Sequence, residues 1–234
     1  MVTIVDNLGL EELLVPPAFK RGNYLAHLYA PFSIKLNRRV YIYTHDKYNL
    51  WVRLEADAEI IKFNERVIPI PISFNDGHAA NISPDALSVD VNHEITFHNI
   101  VSGAIAELPE STQKTMDAWQ NFCESFGYKH KIWNTESLIG NGIELCNIRK
   151  LLRYTSDAAL MINPILQQSV LSEIGNHRKV IYAKVIQQFP KTDPEEIKVA
   201  ISMLILSRNI FTDIHLYPLS QTTELSAYHE FSQS

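Results

Sequence analysis

The sequence predicts an α/β protein in which a mixed β-sheet is flanked by helices and is followed by a smaller C-terminal domain. Up to about residue 145, strand-like segments with alternating apolar residues are interleaved with segments of helical periodicity. Beyond that point, successive segments have helical periodicity, and the last of them precedes a β-hairpin pattern over 210–229. Because three helices and a hairpin are the components of a winged helix, we predict that fold for the C-terminal domain.

Length and composition indicate one larger and one smaller globular domain. The chain has 234 residues, of which 46% are hydrophobic and 20% are charged, as in ordinary globular proteins. We predict an N-terminal arm over 1–35, the sheet domain over 36–154 and the winged helix over 155–234. Prolines are scattered among apolar residues in the arm, so we expect it to pack onto another part of the protein.

The charge and the apolar runs exclude several classes of protein. The net charge of −5 and pI near 6.0 argue against a protein that coats nucleic acid through bulk charge, so DNA contact would need a local basic patch or partners. The start of the chain lacks the pattern of a signal peptide, and no apolar run approaches eighteen residues. We therefore expect no membrane partner and a cytoplasmic, nucleoid-associated location.

The first half of the sheet domain is predicted to contain a strand, a helix and an extended segment. "RRVYIYTH" (38–45) alternates as a strand does. "KYNLWVRLEADAEI" (47–60) has apolar residues at helical spacing and predicts an amphipathic helix. "IIKFNERVIPIPISF" (60–74) is predicted to be extended, and Pro69 and Pro71 favour a sheet edge or a bend there.

The second half adds a strand pair and a second amphipathic helix. The elements predicted are a turn over 74–78, strands near 85–91 and 93–101, a helix over 111–128 and a short strand over 130–136. The helix opens with a Ser/Thr capping signal, carries Met116, Trp119 and Phe122 on one face, and is expected to stop at Gly127. The C-terminal helices are predicted over 145–156, 157–175, 178–190 and 193–209.

Five passages, taken in order, resemble the TnsA-type endonuclease subunit of heteromeric cut-and-paste transposases. They are "LEADAEIIKFNERVIPIPISF" (54–74), "SPDALSV" (83–89), "WQNFCESFGYKHKIWNTESL" (119–138), "LCNIRKLLRY" (145–154) and "IFTDIHLYPLSQTTEL" (210–225). No single passage is diagnostic, and the specificity comes from their order and spacing. The resemblance covers roughly residues 38–229.

The resemblance implies a fold and a set of partners. In that family the N-terminal domain is a restriction-endonuclease fold that nicks the 5′ ends of the transposon, while a partner transposase processes the 3′ ends. The C-terminal domain contacts DNA and an AAA+ regulator. We therefore expect transposon-end DNA, a transposase subunit and an AAA+ regulator subunit as partners.

The resemblance also implies where a nuclease centre would lie. Carboxylates on a helix and at a strand opening hold Mg²⁺, and a Lys on the next strand stabilises charge on the phosphate. The family pattern puts the helical Glu eight residues before Glu55, where this chain has Lys47. Asp85 stands at the strand opening, and the Lys position falls at His98, or at Asn99 if the register slips by one.

Only Asp85 of the expected Glu/Asp/Lys set is present, so we predict a fold that has lost its cutting activity and needs no cofactor. The alternative is an active Mg²⁺-dependent endonuclease that keeps Asp85, recruits Glu55 or Asp46 as second ligand and uses His98 as electrophile or base. Asp85 also has a plain structural explanation, because Ser-Pro-Asp is a common turn and strand-entry signal.

The C-terminal domain is weakly basic for a DNA reader. Its basic residues that we assign as candidate DNA contacts are Arg178, Lys179, Lys184, Lys198 and Arg208. The helix predicted over 193–209 begins with acidic residues, which repel phosphates. This favours docking to protein partners over autonomous sequence reading. A further alternative is a winged-helix transcriptional regulator whose N-terminal domain binds a ligand or a partner.

Overall fold

A computed structural model describes residues 10–19, 27–157 and 163–227. The chain divides into two compact units. Unit 1 comprises Met1–Pro31, Lys35–Glu55 and Glu59–Ile139, and unit 2 comprises Phe32–Ile34, Ala56–Ala58 and Gly140–Ser234. Unit 2 therefore begins earlier in the chain than the C-terminal domain that the sequence analysis delimits.

The helices and strands alternate through the first part of the chain and helices predominate in the second. The helices are α1 (Leu10–Leu14), α2 (His45–Ala56), α3 (Glu110–Phe126), α4 (Thr135–Ile139), α5 (Gly142–Asp157), α6 (Pro164–Gly175), α7 (Tyr182–Gln187) and α8 (Pro194–Leu206). The strands are β1 (Phe32–Ser33), β2 (Arg38–Arg39), β3 (Ile60–Asn64), β4 (Ile70–Ser73), β5 (Ala79–Ile82), β6 (Ala86–Asp90), β7 (Ile95–Ile100), β8 (Lys129–Trp133), β9 (Val180–Ile181), β10 (Ile210–Thr212) and β11 (Glu224–Ala227).

Unit 1 is built on a four-stranded mixed sheet flanked by helices, as the sequence predicts at this level. The strand order is β3-β6-β7-β8, with antiparallel pairs except for the parallel pair β7–β8. A parallel neighbour needs a long crossover, and α3 supplies it between β7 and β8. Strands β4 and β5 form a separate two-stranded hairpin, so the predicted extended segment 60–74 divides: residues 60–64 join the main sheet as β3, and the part around Pro71 does not.

The two faces of the sheet carry different side chains because successive residues of a strand point to opposite faces. Leu87 and Phe97 are register partners on one face, where they join a core with Trp119 and Cys123 of α3. Leu13 of α1 lies in the same core, which anchors the described part of the N-terminal arm to unit 1. On the other face, Phe63 of β3 lies opposite Ser88 of β6.

Unit 2 buries a core between helices and a small antiparallel sheet. Strand β11 is central and pairs with β10 on one edge and β9 on the other. The core includes Val170 of α6, Val185 of α7 and Ile201 of α8, all fully buried. The predicted hairpin over 210–229 therefore forms a strand pair, joined by residues 213–223 rather than by a tight turn; residues 228–229 lie outside the described residues.

Four local predictions are wrong in detail. The strand predicted over 38–45 is regular only at β2, although Ile42 forms an isolated bridge with Tyr29. The segment 178–190 is not continuously helical, because Val180 and Ile181 pair with β11 before α7 begins. Helix α3 starts after Pro109 with no side-chain cap bond, so the Ser/Thr capping signal is not used. The helix predicted over 157–175 begins at Pro164 in its described part, where Asn163 caps it, and residues 158–162 lie outside the described residues.

Within the described ranges, none of the helices is both long and apolar enough to cross a membrane.

The C-terminal stop of α3 at Gly127 is as predicted and can be tested by substitution. Gly127 has φ 69°, and a Cβ built there meets no atom within 4 Å, so the cost of a side chain is purely conformational. We expect Gly127→Ala to reduce the free energy of unfolding of unit 1 by about 1 kcal/mol. Chemical denaturation followed by tryptophan fluorescence measures this, because all three tryptophans (51, 119 and 133) lie in unit 1.

Gly127→Asn is the matched control, because Asn tolerates the left-handed region better than Ala. It should lose less stability than the Ala variant. Equal losses in the two variants would contradict a conformational origin.

Candidate functional site

The candidate site is a pocket of unit 1 at the start of α2 and the entry to β6. It has a volume of about 280 Å³. Its lining side chains are Tyr41, Ile42, Tyr43, Thr44, Lys47, Leu50, Trp51, Leu54, Phe63, Glu65, Arg66, Asp85 and Ala86. We call it the α2 pocket. Its walls are mainly apolar and aromatic, with four charged side chains among them.

Local structure fixes the two residues that the sequence analysis placed at the nuclease centre. The Thr44 hydroxyl accepts from the Lys47 amide at 3.3 Å and caps α2, which sets Lys47 in the first helical turn. The buried residues Leu50 and Trp51 hold the helix in place. Asp85 directly precedes β6, and its amide donates to the carbonyl of His98 at 2.8 Å.

Lys47 and Asp85 form an ion pair with 2.9 Å between Nζ and Oδ1. The other carboxylate oxygen, Oδ2, accepts a hydrogen bond from the Ile100 amide at 2.6 Å. Both oxygens of Asp85 therefore have a donor. A divalent cation needs several oxygen ligands, and an ammonium group beside the carboxylate repels it. The residues present do not fit Mg²⁺ at this position.

The second carboxylate of the α2 pocket is also neutralised. Glu65 is buried and accepts two hydrogen bonds from the Arg38 guanidinium, at 2.9 and 2.6 Å. Arg66 Nε lies 3.6 Å from the same carboxylate. Such a bidentate arginine pair is strong and directional, which leaves Glu65 poorly suited to bind a metal ion.

Asp46 and Glu55, the two carboxylates that the sequence offers as substitute metal ligands, form hydrogen bonds outside the α2 pocket. Asp46 accepts a hydrogen bond from the Thr135 hydroxyl at 2.8 Å. Glu55 is buried and accepts from the Lys35 amide at 3.2 Å. Neither residue lines the α2 pocket. Across the part of the chain that the structure describes, no group of three or more His, Cys, Asp or Glu side chains is arranged to hold a metal ion.

His98 is a buried structural histidine. Trp133 Nε1 donates to His98 Nδ1 at 3.1 Å, and an indole can only donate, so Nδ1 is unprotonated. The proton therefore lies on Nε2, which donates to the Ser88 hydroxyl at 2.8 Å. Burial lowers the pKa of His98 to about 3, and the charges of Lys131 and His130 add to this shift. A neutral ring with both nitrogens occupied cannot replace a catalytic lysine.

Asn99, the alternative at that position, is engaged as well. It is buried, and its side-chain oxygen accepts from His130 Nε2 at 3.0 Å. Of the predicted centre, the structure brings together Lys47 and Asp85, whereas His98 and Asn99 take part in separate buried hydrogen bonds.

The candidate DNA-contacting residues of unit 2 fall into two classes. Three are paired with carboxylates: Lys179 with Glu224 at 2.7 Å, Lys198 with Glu195 at 2.6 Å and Arg208 with Asp57 at 3.5 Å. Arg178 and Lys184 are exposed and form no ion pair with a carboxylate of the described residues. They are the two candidates whose charge is available to a phosphate.

Trp51, Glu65 and Arg66 line the α2 pocket although the sequence does not predict them as site residues. Trp51 sits in an apolar helical stripe that predicts burial, and its polar nitrogen gives no sequence signal. Glu65 lies in one of the five passages that carry the resemblance, and this is the sequence feature that connects it with the site. The sequence gives no reason to expect these residues in one pocket, because they come from α2 and from the segment after β3.

No model of a known protein family matches the sequence, and no curated protein matches it either.

The burial of His98 predicts a pH dependence of stability. Between about pH 6.5 and pH 3 the unfolded chain protonates this residue and the folded chain does not, so stability falls as the pH is lowered through that window. We expect His98→Gln, which retains a donor and an acceptor, to have a shallower dependence between pH 7 and pH 5. The difference should approach about 1.4 kcal/mol per pH unit at the acidic end.

Urea denaturation at several pH values, followed by tryptophan fluorescence, provides the measurement. His78→Gln is the matched control, because His78 is exposed in a turn. Parallel curves for the wild type and the His98 variant would show that His98 does not titrate as its burial requires.

Proposed function

We propose that this chain is a TnsA-like subunit of a heteromeric DNA transposase, with a restriction-endonuclease-like unit 1 whose nuclease centre is silent. It acts in the processing and assembly of transposon-end DNA, together with a transposase subunit and an AAA+ regulator. The cutting chemistry is then supplied by other subunits.

The observation that carries this proposal is the 2.9 Å ion pair between Lys47 and Asp85. The resemblance names one residue on a helix and one at a strand opening, 38 positions apart in the chain, as the acidic pair of a nuclease. Their side chains meet here, one in the first turn of α2 and one at the entry to β6. The same ion pair explains why we propose an inactive nuclease centre, because Lys47 contributes a positive charge where a metal ligand is needed.

The element order of unit 2 supports a winged helix. Helix α6 is followed by β9, then by α7 and α8, and then by β10 and β11, with β11 at the centre of the sheet. A buried core joins the helices to this sheet. The long connection over 213–223 is the candidate wing. We assign contact with DNA and with partner subunits to this domain.

Replacing Lys47 by Glu tests whether residue 47 occupies the position of a metal ligand. Lys47→Glu puts two carboxylates beside each other, and we expect it to bind Mn²⁺ at least about tenfold more tightly than the wild type. Isothermal titration calorimetry with Mn²⁺ measures this. Lys47→Gln is the matched control, because it removes the positive charge without adding a ligand.

Two outcomes would contradict the proposal. If Lys47→Glu binds Mn²⁺ no better than Lys47→Gln, positions 47 and 85 are not the metal seat of a nuclease. If the wild type nicks supercoiled plasmid in Mg²⁺ or Mn²⁺ and Asp85→Ala abolishes the nicking, the chain is an active endonuclease.

The DNA contacts of unit 2 can be tested through Arg178 and Lys184, the two candidate residues that form no ion pair with a carboxylate of the described residues. We expect Arg178→Gln combined with Lys184→Gln to weaken binding to duplex DNA by about tenfold and to reduce the slope of log affinity against log salt by about 2. Fluorescence anisotropy at several salt concentrations gives both quantities.

The matched control is the pair Lys179→Gln and Lys198→Gln, which removes the same charge from residues that already have carboxylate partners. Equal effects of the two double variants would mean that net charge, not these side chains, governs binding. Stable DNA binding without recovery of any transposase or AAA+ subunit in pull-downs would favour a transcriptional regulator.

A further inference from the structure

We propose that the free edge of strand β5 pairs with the same strand of a second copy of this chain, in an antiparallel register centred on Ala80. The two β4–β5 hairpins then form one four-stranded sheet across a two-fold axis. This self-association goes beyond the proposed function and does not depend on it, because it involves neither the Lys47–Asp85 ion pair nor unit 2.

The hydrogen bonds of the hairpin determine which backbone groups of β5 point away from β4. The two strands are antiparallel, with Ser73 opposite Ala79. At the turn, the Phe74 amide donates to the His78 carbonyl at 2.7 Å, so these two residues form a hydrogen-bonded pair. Hydrogen-bonded and non-hydrogen-bonded pairs alternate along an antiparallel ladder. The next pair, Ser73 and Ala79, is therefore non-hydrogen-bonded, and its N–H and C=O groups point to the two outer edges of the hairpin.

Asn81 lies two residues further along β5 and has the same orientation. Its partner is Pro71, and a proline is tolerated in a ladder where its missing N–H would point outward. The outer edge of β5 thus presents the N–H and C=O groups of Ala79 and Asn81, and both residues are exposed. Among the described strands, β5 has β4 as its one neighbour. The outward groups accordingly have no strand partner within the described part of the chain.

The other edges of the main sheet and of the hairpin carry features that oppose pairing with another chain. Edge strand β8 has Lys129 and Lys131, both exposed. Edge strand β3 has Lys62 and an irregular register beside it. On β4, Pro71 removes an outward-pointing N–H. Lysine, irregular pairing and proline are the usual protections of sheet edges. Residues 77–83 contain no Lys, Arg, Asp, Glu or Pro, so the edge of β5 is unprotected.

A second copy of β5 fits this edge because the strand is complementary to itself when reversed. With Ala80 opposite the partner's Ala80, Ala79 lies opposite the partner's Asn81, and Asn81 lies opposite the partner's Ala79. Each of these two outer pairs exchanges both of its N–H···O=C hydrogen bonds. Like charges do not meet in this register, because Asp76 falls opposite the partner's Pro84.

The composition of the edge favours a second copy over a strand of another protein. Alanines at 79 and 80 let two identical backbones approach closely, and the absence of charge leaves nothing with which the edge could select a foreign sequence. A two-fold contact also uses each outward group of the edge twice. Because the strand is short, the contact lies at the weak, transient end of protein interfaces.

Sedimentation equilibrium of the full chain measures this self-association at protein concentrations up to about 1 mM, the range in which weak contacts form. Hydrogen exchange of individual amides, followed in ¹H–¹⁵N spectra at the same concentrations, locates the contact. We expect a reversible dimer, in which exchange of the Ala79 and Asn81 amides slows severalfold as the protein concentration rises. The Ser73 amide, on the opposite edge of the hairpin, should exchange at an unchanged rate.

The matched variants are Ala79→Pro and Ser73→Pro, which change the two members of one cross-strand pair. Each removes an outward-pointing N–H, on β5 and on β4 respectively, and neither removes a hydrogen bond of the hairpin. Ala79→Pro should raise the dissociation constant of the dimer at least about tenfold, because it removes a hydrogen bond from each outer pair. Ser73→Pro should leave the dissociation constant unchanged.

A chain that remains monomeric up to about 1 mM would overturn the proposal. A dimer in which the Ala79 and Asn81 amides exchange as fast as in the monomer would also overturn it, and this readout needs no variant to fold. Equal effects of the two proline variants would place the contact elsewhere and reject the β5 edge. The Mn²⁺ titration of Lys47→Glu is a separate measurement, so failure here is distinguishable from failure of the proposed function.

Discussion

The ion pair between Lys47 and Asp85 is the interaction on which the functional interpretation of unit 1 depends. Its contribution to stability is modest, because both side chains are partly exposed and such pairs contribute at most about 1 kcal/mol. Its chemical effect is larger. The Lys47 ammonium, 2.9 Å from the Asp85 carboxylate, occupies the position at which a metal ion would bind that carboxylate. Its positive charge also repels a divalent cation. At this position the carboxylate and the ammonium therefore neutralise each other.

The neighbouring groups reinforce this neutrality. Glu65 is held by Arg38 from outside the pocket, and His98 is kept neutral by burial and by its bonds to Ser88 and Trp133. Asp85, Glu65 and His98 therefore each have another partner.

The sequence predicted the parts of the fold that local pattern determines. Helix α3 was predicted over 111–128 and forms over Glu110–Phe126, because its apolar face and the stop at Gly127 are local signals. The strands expected near 85–91 and 93–101 form as β6 and β7. By contrast, residues 180–181 are predicted to be helical but form β9. Their extended conformation depends on pairing with β11, which lies more than forty residues later in the chain. Propensity gives no information about such a partner.

The candidate site shows the same division between local and tertiary information. The resemblance singled out Lys47, through a fixed spacing from Glu55, and Asp85, through its place at a strand opening. The sequence did not predict that His98 would be buried between Ser88 and Trp133, or that Trp51 would line a pocket with Arg66, because these contacts join elements distant in the chain. Since the net charge is −5 and three of the five basic candidates in unit 2 are paired with carboxylates, electrostatic attraction alone gives the chain little hold on DNA. Under the proposed function, a subunit with a silent centre would therefore depend on the proteins that it binds for its position on DNA and for the cutting step.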